Sequence, residues 1–210
     1  MQQNLFITGI GTGIGKTVCS AILTQYFNAD YWKPIQSGDL HSTDTMTIQD
    51  LSDHQVTCYP ETYRLKQAAS PHQSASEEGV SISLNNFKIP ETSHPLIIEG
   101  AGGLMVPLSD EKLIIDLIAH LTIPTALVVK DYLGCINHTL LSVSALRQRN
   151  IPLDYLVLNG DFNPDTERVI CKHLPWETKI IRVPEIKTMT AKQFKTIVNN
   201  LKINENEYIY

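Results

Sequence analysis

Leu5-Phe6-Ile7-Thr8-Gly9-Ile10-Gly11-Thr12-Gly13-Ile14-Gly15-Lys16-Thr17 reads as a short apolar strand that breaks into a glycine-rich loop and closes on Gly15-Lys16-Thr17. Glycines at alternating positions, Gly9, Gly11, Gly13 and Gly15, let the backbone take conformations that a Cβ forbids, so successive amide groups can curl round a polyphosphate. In such a loop Thr12, Gly13, Ile14 and Gly15 form the cradle, Lys16 reaches the β- and γ-phosphates, and the Thr17 hydroxyl ligates Mg2+. As an exposed loop lysine, Lys16 is expected to contribute little to the core. Val18 to Phe27 then read as a helix whose positive N-terminal end faces the phosphates. The spacing from Gly9 to Gly15 is one residue longer than in the usual loop of this kind.

The chain has 210 residues, enough for one α/β domain with a sizeable core, and residues 1–210 are read as a single domain. A composition of 42% hydrophobic and 19% charged residues is that of a globular protein, and a net charge of −5 leaves no basic footprint for nucleic acid. Cys19, Cys58, Cys135 and Cys171 lie far apart with no Cys-x-x-Cys pair. That spacing argues against a zinc site or a disulfide framework and fits a reducing cytoplasm. The N-terminus passes directly into the first strand, and no apolar run approaches bilayer length, so neither export nor a membrane anchor is expected.

Along the rest of the chain, strands and helices alternate. Tyr31 to Ile35 reads as a second strand, ended by Pro34 and the Gln36-Ser37-Gly38 turn. Asp44 to Leu51 reads as a helix, Thr57 to Ser76 as mostly loop leading into a helix near His72 to Glu78, and Ile82 to Pro95 as a polar, turn-rich stretch. Pro95 to Glu99 and Pro124 to Val129 are continuous apolar runs that suit strands covered on both faces. Helices are expected at 113–121, 138–148 and 164–173, strands at 153–158 and 179–183, and a loosely ordered tail after Lys202. With right-handed crossovers this pattern gives a mostly parallel sheet covered by helices on both faces, the phosphate-loop (P-loop) NTPase arrangement, with ligands at the carboxyl ends of the strands.

The residues just past each apolar run are strongly polar: Lys16 and Thr17, Lys33 and Ser37, Asp44, Glu99, Asn137 and Asn159. Phosphoryl transfer calls for such a set, because charge spread over the γ-phosphoryl oxygens is met by cations, backbone amides and a metal on hard oxygen ligands. Thr17, Asp44 and Glu99 can supply three oxygens to an octahedral Mg2+. Each also has a plainer reading: Glu99 as a solvated strand-end acid, Asp44 as a helix-start residue favoured by the dipole, Lys33 as a surface lysine. The histidines show no metal-ligand spacing.

Five segments together resemble one enzyme family: Gly-x5-Gly-Lys-Thr at Gly9 to Thr17, Trp-Lys-Pro-Ile-Gln-Ser-Gly at Trp32 to Gly38, Ser-Pro-His at Ser70 to His72, Glu-Gly-Ala-Gly-Gly at Glu99 to Gly103, and Leu-Gly-Cys-Ile-Asn-His at Leu133 to His138. The family is dethiobiotin synthase, in which the lengthened loop is normal. The resemblance implies ATP-dependent conversion of 7,8-diaminononanoate and CO2 (or bicarbonate) to dethiobiotin in biotin synthesis, through a carbamate and a carbamic-phosphoric anhydride. It implies that Lys16 and Lys33 neutralise charge on the phosphates and carbamate, and that Ser37 holds the substrate near its reacting end. Mg2+ would sit between Thr17, Asp44 and Glu99, and Gly100, Ala101, Gly102 and Gly103 would pack against nucleotide, diamine and carbamate. Asn159 matches the adenine-reading asparagine, with Gly160, Pro184, Glu185 and Ile186 near the base or ribose. Family members are homodimers in which the loop matching Leu133, Gly134, Cys135, Ile136 and Asn137 of one subunit grips the substrate carboxylate of the other. Three positions depart from the pattern: Gly13 replaces an acidic residue some members carry, Gly160 stands where aspartate is common, and Tyr132 where lysine can occur.

The competing class is a partner-regulated ATPase switch of the type that positions plasmids or division sites, which shares the fold and is marked by a second lysine opening the loop. That place is Gly11 here. An amide ligase carrying an amidotransferase domain would need a longer chain.

Overall fold

β1 (Leu5–Gly9) is buried along its whole length, because it lies inside a sheet covered on both faces. In the computed structural model, which describes residues 4–52, 56–186 and 188–208, β1 pairs in parallel with β6 (Leu96–Glu99) on one side and β7 (Thr125–Lys130) on the other. Among the described residues eight strands form this sheet in the order β10-β9-β8-β7-β1-β6-β2-β4. Here β2 is Asp30–Trp32, β4 Cys58–Tyr59, β8 Leu153–Asn159, β9 Lys179–Val183 and β10 Ile203–Asn204. All these pairings are parallel except β10 with β9.

Alternation along the strands divides the core in two. Phe6, Leu96, Ile98, Leu127 and Val129 face one side, where they pack with α4 (Ile114–Leu121), α5 (Cys135–Gln148) and α6 (Pro164–Lys172). Leu5, Ile7, Ile97, Ala126 and Val128 face the other, against α1 (Lys16–Tyr26), α2 (Asp44–Leu51) and α7 (Ala191–Asn200). Parallel strands all discharge their carboxyl ends at one edge, so the loops after β1, β2, β6, β7 and β8 meet there. No helix among the described residues is long and apolar enough to cross a membrane.

The structure corrects several sequence expectations. The strand expected over Tyr31 to Ile35 is split at Lys33-Pro34. Its second half, β3 (Ile35–Ser37), leaves the main sheet and pairs in parallel with β5 (Tyr63–Leu65). Proline has no N–H to give a ladder, and its carbonyl is taken by the Tyr63 N–H at 3.1 Å, which starts the second pairing. The stretch expected as loop from Thr57 therefore contains β4 and β5 before α3 (Pro71–Glu77), which opens on Pro71. The helix expected from His138 begins at Cys135, one turn earlier.

α7 and β10 were not anticipated, and the expected loose tail after Lys202 is ordered over residues 203–208, with residues 209 and 210 outside the described residues. β10 pairs with β9 through Ile203 opposite Ile181, and Asn206 is buried, its Nδ2 donating to the Cys171 carbonyl at 2.8 Å. The segment is short and polar, so neither periodicity nor hydropathy marks it. Asn206→Ala is expected to lower stability by about 1 kcal/mol, and a chain ending at Lys202 by more, read as a lower urea midpoint.

Candidate active site

The loop after β1 turns through left-handed backbone at Gly13 and Gly15, with φ of 72° and 87°, and α1 begins directly at Lys16. A Cβ on Gly15 would stand 2.2 Å from the Asn159 amide nitrogen, so the glycine is needed for both its dihedral and the close approach. That amide donates to the Ile14 carbonyl at 2.7 Å, tying the end of β8 to the loop. Ile14 itself turns its side chain into the core. Lys16 is not the exposed lysine expected: it is buried and folds back to donate to the Gly11 carbonyl at 2.8 Å. Burial, with Lys33 nearby, outweighs the pull of Glu99 and Asp44 and lowers its pKa to about 8.

Beside Lys16 lies a cluster of charges. Thr17 Oγ1 lies 2.8 Å from Asp44 Oδ1 and 3.0 Å from Glu99 Oε1, so its single proton serves one or the other. Lys33 Nζ lies 2.5 Å from Asp44 Oδ2 and 3.1 Å from Glu99 Oε1, and also donates to the Gly100 carbonyl at 3.2 Å. Asp44 opens α2 behind the Thr43 cap, whose hydroxyl accepts from the Met46 N–H. The Gln36 side-chain oxygen accepts from the Asp44 N–H at 3.4 Å. Glu99 ends β6, and the buried Tyr31 phenol donates to its Oε2 at 2.9 Å.

Lys33 and Asp44 hold each other in their ionised forms. Burial alone would lower the Lys33 pKa, but Glu99 and Asp44 outweigh it and raise it above the ordinary lysine value. Burial alone would raise Asp44, but Lys33 and the Thr17 hydroxyl bring it below the ordinary range. The Tyr31 phenol is pushed well above its usual value by burial and then by Glu99. Two carboxylates and a hydroxyl, all hard oxygen donors on three different elements, fit a Mg2+ ion.

These groups line a cavity of about 720 Å3 that also includes Thr12, Gly13, Gly15, Ser37, Ala101 and Gly102. The Ser37 hydroxyl is buried with no hydrogen-bond partner among the described residues. Ala68 and Ala69 of the β5–α3 connection, and Val106, complete the wall. Sequence reasoning missed these and Tyr31, since apolar wall residues and a tyrosine inside a strand carry no motif, and it gave Gln36 no role although it lies within the Trp32 to Gly38 segment. A second recess joins Gly13 and Gly15 to Asn159, Glu185 and Ile186, with Lys130 3.9 Å from the Glu185 carboxylate. Gly160 stands beside it, its N–H on the Val183 carbonyl just before Pro184.

The packing adds detail at two of these segments. Gly100 and Gly103 serve close packing against β1 and the loop: a Cβ on Gly100 would lie 2.8 Å from the Phe6 ring, and one on Gly103 3.1 Å from the Gly9 carbonyl. The segment Leu133 to Asn137 does not reach the main cavity of its own chain. Leu133 and Asn137 are exposed at the start of α5, Ile136 leans on the core, and Cys135 is turned inward with its thiol on Asp131 at 3.4 Å. Replacing Lys33 by methionine leaves two adjacent carboxylates without their cation. Lys33→Met is expected to destabilise the free protein by roughly 3 kcal/mol in urea unfolding, with part of the loss restored by added Mg2+.

Comparison with known proteins gives a consistent assignment. A family model described as an AAA domain matches residues 3–193. The ATP-dependent dethiobiotin synthetase BioD of Cytophaga hutchinsonii is 48% identical over 189 residues, covering 89% of this chain and 91% of that protein. The BioD proteins of Rhodopseudomonas palustris (strain TIE-1) and Christiangramia forsetii are 43% and 46% identical, covering 91% and 82% of this chain and 90% and 83% of theirs. A ParA family ATPase from Chlorobium tepidum, 13% identical with a TM-score of 0.54 over 95% of this chain and 90% of its own, is similar in fold alone. On identity, coverage and the AAA-domain match, the chain belongs to the ATP-dependent dethiobiotin synthetase family.

Proposed function

We propose that this chain carboxylates and cyclises 7,8-diaminononanoate with CO2 and ATP, giving dethiobiotin, ADP and phosphate in the biotin pathway. The observation that carries the reading is the unpartnered Ser37 hydroxyl, buried in the same cavity as Lys33 and the phosphate loop. A plain nucleotide switch has no use for a second polar pocket beyond the γ-phosphate position.

In this reading one substrate amine attacks CO2 and loses a proton, forming a carbamate. A carbamate oxygen then attacks the γ-phosphorus as the bond to the ADP bridging oxygen breaks, giving the carbamic-phosphoric anhydride. The second amine attacks the carbonyl carbon, loses a proton and expels phosphate, closing the cyclic urea. Lys33, buried and held in its charged form, faces the two anions that must meet, and Lys16 stabilises charge on the β- and γ-phosphates. Ser37 binds near the reacting amines, and Ala101 and Gly102 border the space for the diamine. Asn159 and Gly160, with Pro184, Glu185 and Ile186, border the base and ribose. Thr17, Asp44 and Glu99 would hold Mg2+, which supplies charge neutralisation at the phosphate oxygens.

We further propose that residues 1–210 form one domain that works as a cytoplasmic homodimer. Leu133 and Asn137 stand exposed at the start of α5, beside an apolar groove lined by Met105, His138 and Leu141. A partner's cavity set against that face would receive the substrate carboxylate at the helix N-terminus, where backbone N–H groups favour an anion.

The test is phosphate release from Mg-ATP with and without the diamine and bicarbonate, with the product identified by mass. Release that requires both and yields the cyclic urea is the expected outcome; release indifferent to the diamine overturns the reading. Lys16→Gln is expected to abolish turnover while the circular dichroism spectrum stays native. Because Lys16 titrates near pH 8 in the free protein and a polyphosphate favours its charged form, binding takes up a proton above that pH. ATP affinity should therefore be flat below pH 8 and fall by up to about tenfold per unit above it, a dependence that fluorescence titration should find absent in Lys16→Gln.

A further inference from the structure

Glu99 offers two oxygens, and the protein treats them differently. Oε1 meets Thr17 and Lys33, the groups that face the cavity. Oε2 points the other way and, among the described residues, meets the Tyr31 phenol at 2.9 Å. The Tyr31 phenol is the donor of this bond and the carboxylate oxygen its acceptor.

The sheet places the two residues on one face. β2 runs parallel to β6 with Tyr31 opposite Ile97, so Tyr31 and Ile97 share a face and Glu99 projects from that face two residues further on. Tyr31 is wholly buried, in the same apolar layer as Leu5, Ile7, Ile22 and Ile97. Such a residue could have been phenylalanine without loss of packing. A hydroxyl here brings a polar atom into an apolar layer, and among the described residues its hydrogen-bond partner is the carboxylate.

We propose that Tyr31 is a positioning residue for the metal-facing carboxylate: its phenol anchors Glu99 through Oε2, so that only Oε1 is presented to the cation shared with Thr17 and Asp44. The inference rests on the reading of Thr17, Asp44 and Glu99 as the Mg2+ site. Without the anchor, the carboxylate can rotate about its last bond, swap its oxygens or lean further onto Lys33, and each alternative competes with the geometry that a small octahedral ion demands. Partners that orient a ligand in this way typically change metal affinity by 10-fold or more when removed.

Tyr31→Phe keeps every ring atom and removes only the hydroxyl. The primary readout is Mn2+ binding followed by EPR in the presence of a non-hydrolysable ATP analogue. We expect the Mn2+ dissociation constant to rise about 10-fold, binding of the analogue in EDTA to stay unchanged, and the Mg2+ activation curve of turnover to shift in parallel, with kcat recovered at saturating metal. A variant that loses thermal stability yet binds Mn2+ within twofold of the wild type overturns the proposal and leaves Tyr31 a packing residue. Glu99→Gln separates this from the parent reading. If that variant binds Mn2+ as the wild type does, the metal site itself is wrong; if it fails to bind while Tyr31→Phe binds normally, only the positioning inference falls. The double variant should bind no more weakly than Glu99→Gln alone, because the phenol acts through that carboxylate, and an additive loss would place Tyr31 on a separate path.

Discussion

The Lys33 ammonium, buried between the carboxylates of Asp44 and Glu99, is the interaction on which the rest of the site depends. Taking Lys33 and Glu99 out of water, with Asp44 partly so, costs several kcal/mol for each buried charge unless they are mutually paired and hydrogen-bonded, and apolar replacements of similar volume often serve stability as well or better. A fold selected for stability alone has little reason to keep such a cluster. Its survival here follows from what it prepares: Lys33 kept charged, Asp44 held below the ordinary carboxylate range, and the Glu99 carboxylate and a phosphate-loop hydroxyl set beside them.

The cluster is assembled by the sheet more than by any local segment. Trp32 pairs with Ile98, so the next residues on the two strands, Lys33 and Glu99, emerge side by side. Pro34 then turns the chain out of the ladder, which carries Ser37 over the cavity and delivers Asp44 at the start of α2. The same carboxyl edge receives the loop from β1 and Asn159 from β8, whose amide braces that loop. Five segments separated by up to 145 positions are thereby fixed within a few ångströms of one another.

Much of this was readable in advance. The β1 strand, its loop and α1 follow from glycines, one lysine and a helix pattern that all act within a dozen residues, and the apolar runs at 95–99 and 124–129 announce strands buried on both faces. Asp44 and Glu99 were recognisable as candidates because a carboxylate at a strand or helix end, in a chain with a phosphate loop, is chemically conspicuous. Tyr31 and Gln36 were not, since a tyrosine in a strand and a glutamine in a turn look the same whether they face lipid-like core, solvent or a catalytic acid. The closing strand at 203–204 escaped for a related reason: its stability comes from pairing with β9 and from the bond of Asn206 to Cys171, contacts made far away in sequence.

The amino-acid sequence by itself determined the phosphate loop, the alternation of strand and helix, and through its separated motifs the family to which the chain belongs, because each of these is written in residue type and short-range spacing. Only the tertiary structure decided that Lys33 bridges Asp44 and Glu99, that Lys16 is buried against Gly11, that β3 leaves the main sheet, and that Tyr31 takes one oxygen of Glu99 while the other faces the cavity. Those outcomes depend on which strands become neighbours and in what register, and register is set by the packing of the whole sheet between its two helical layers.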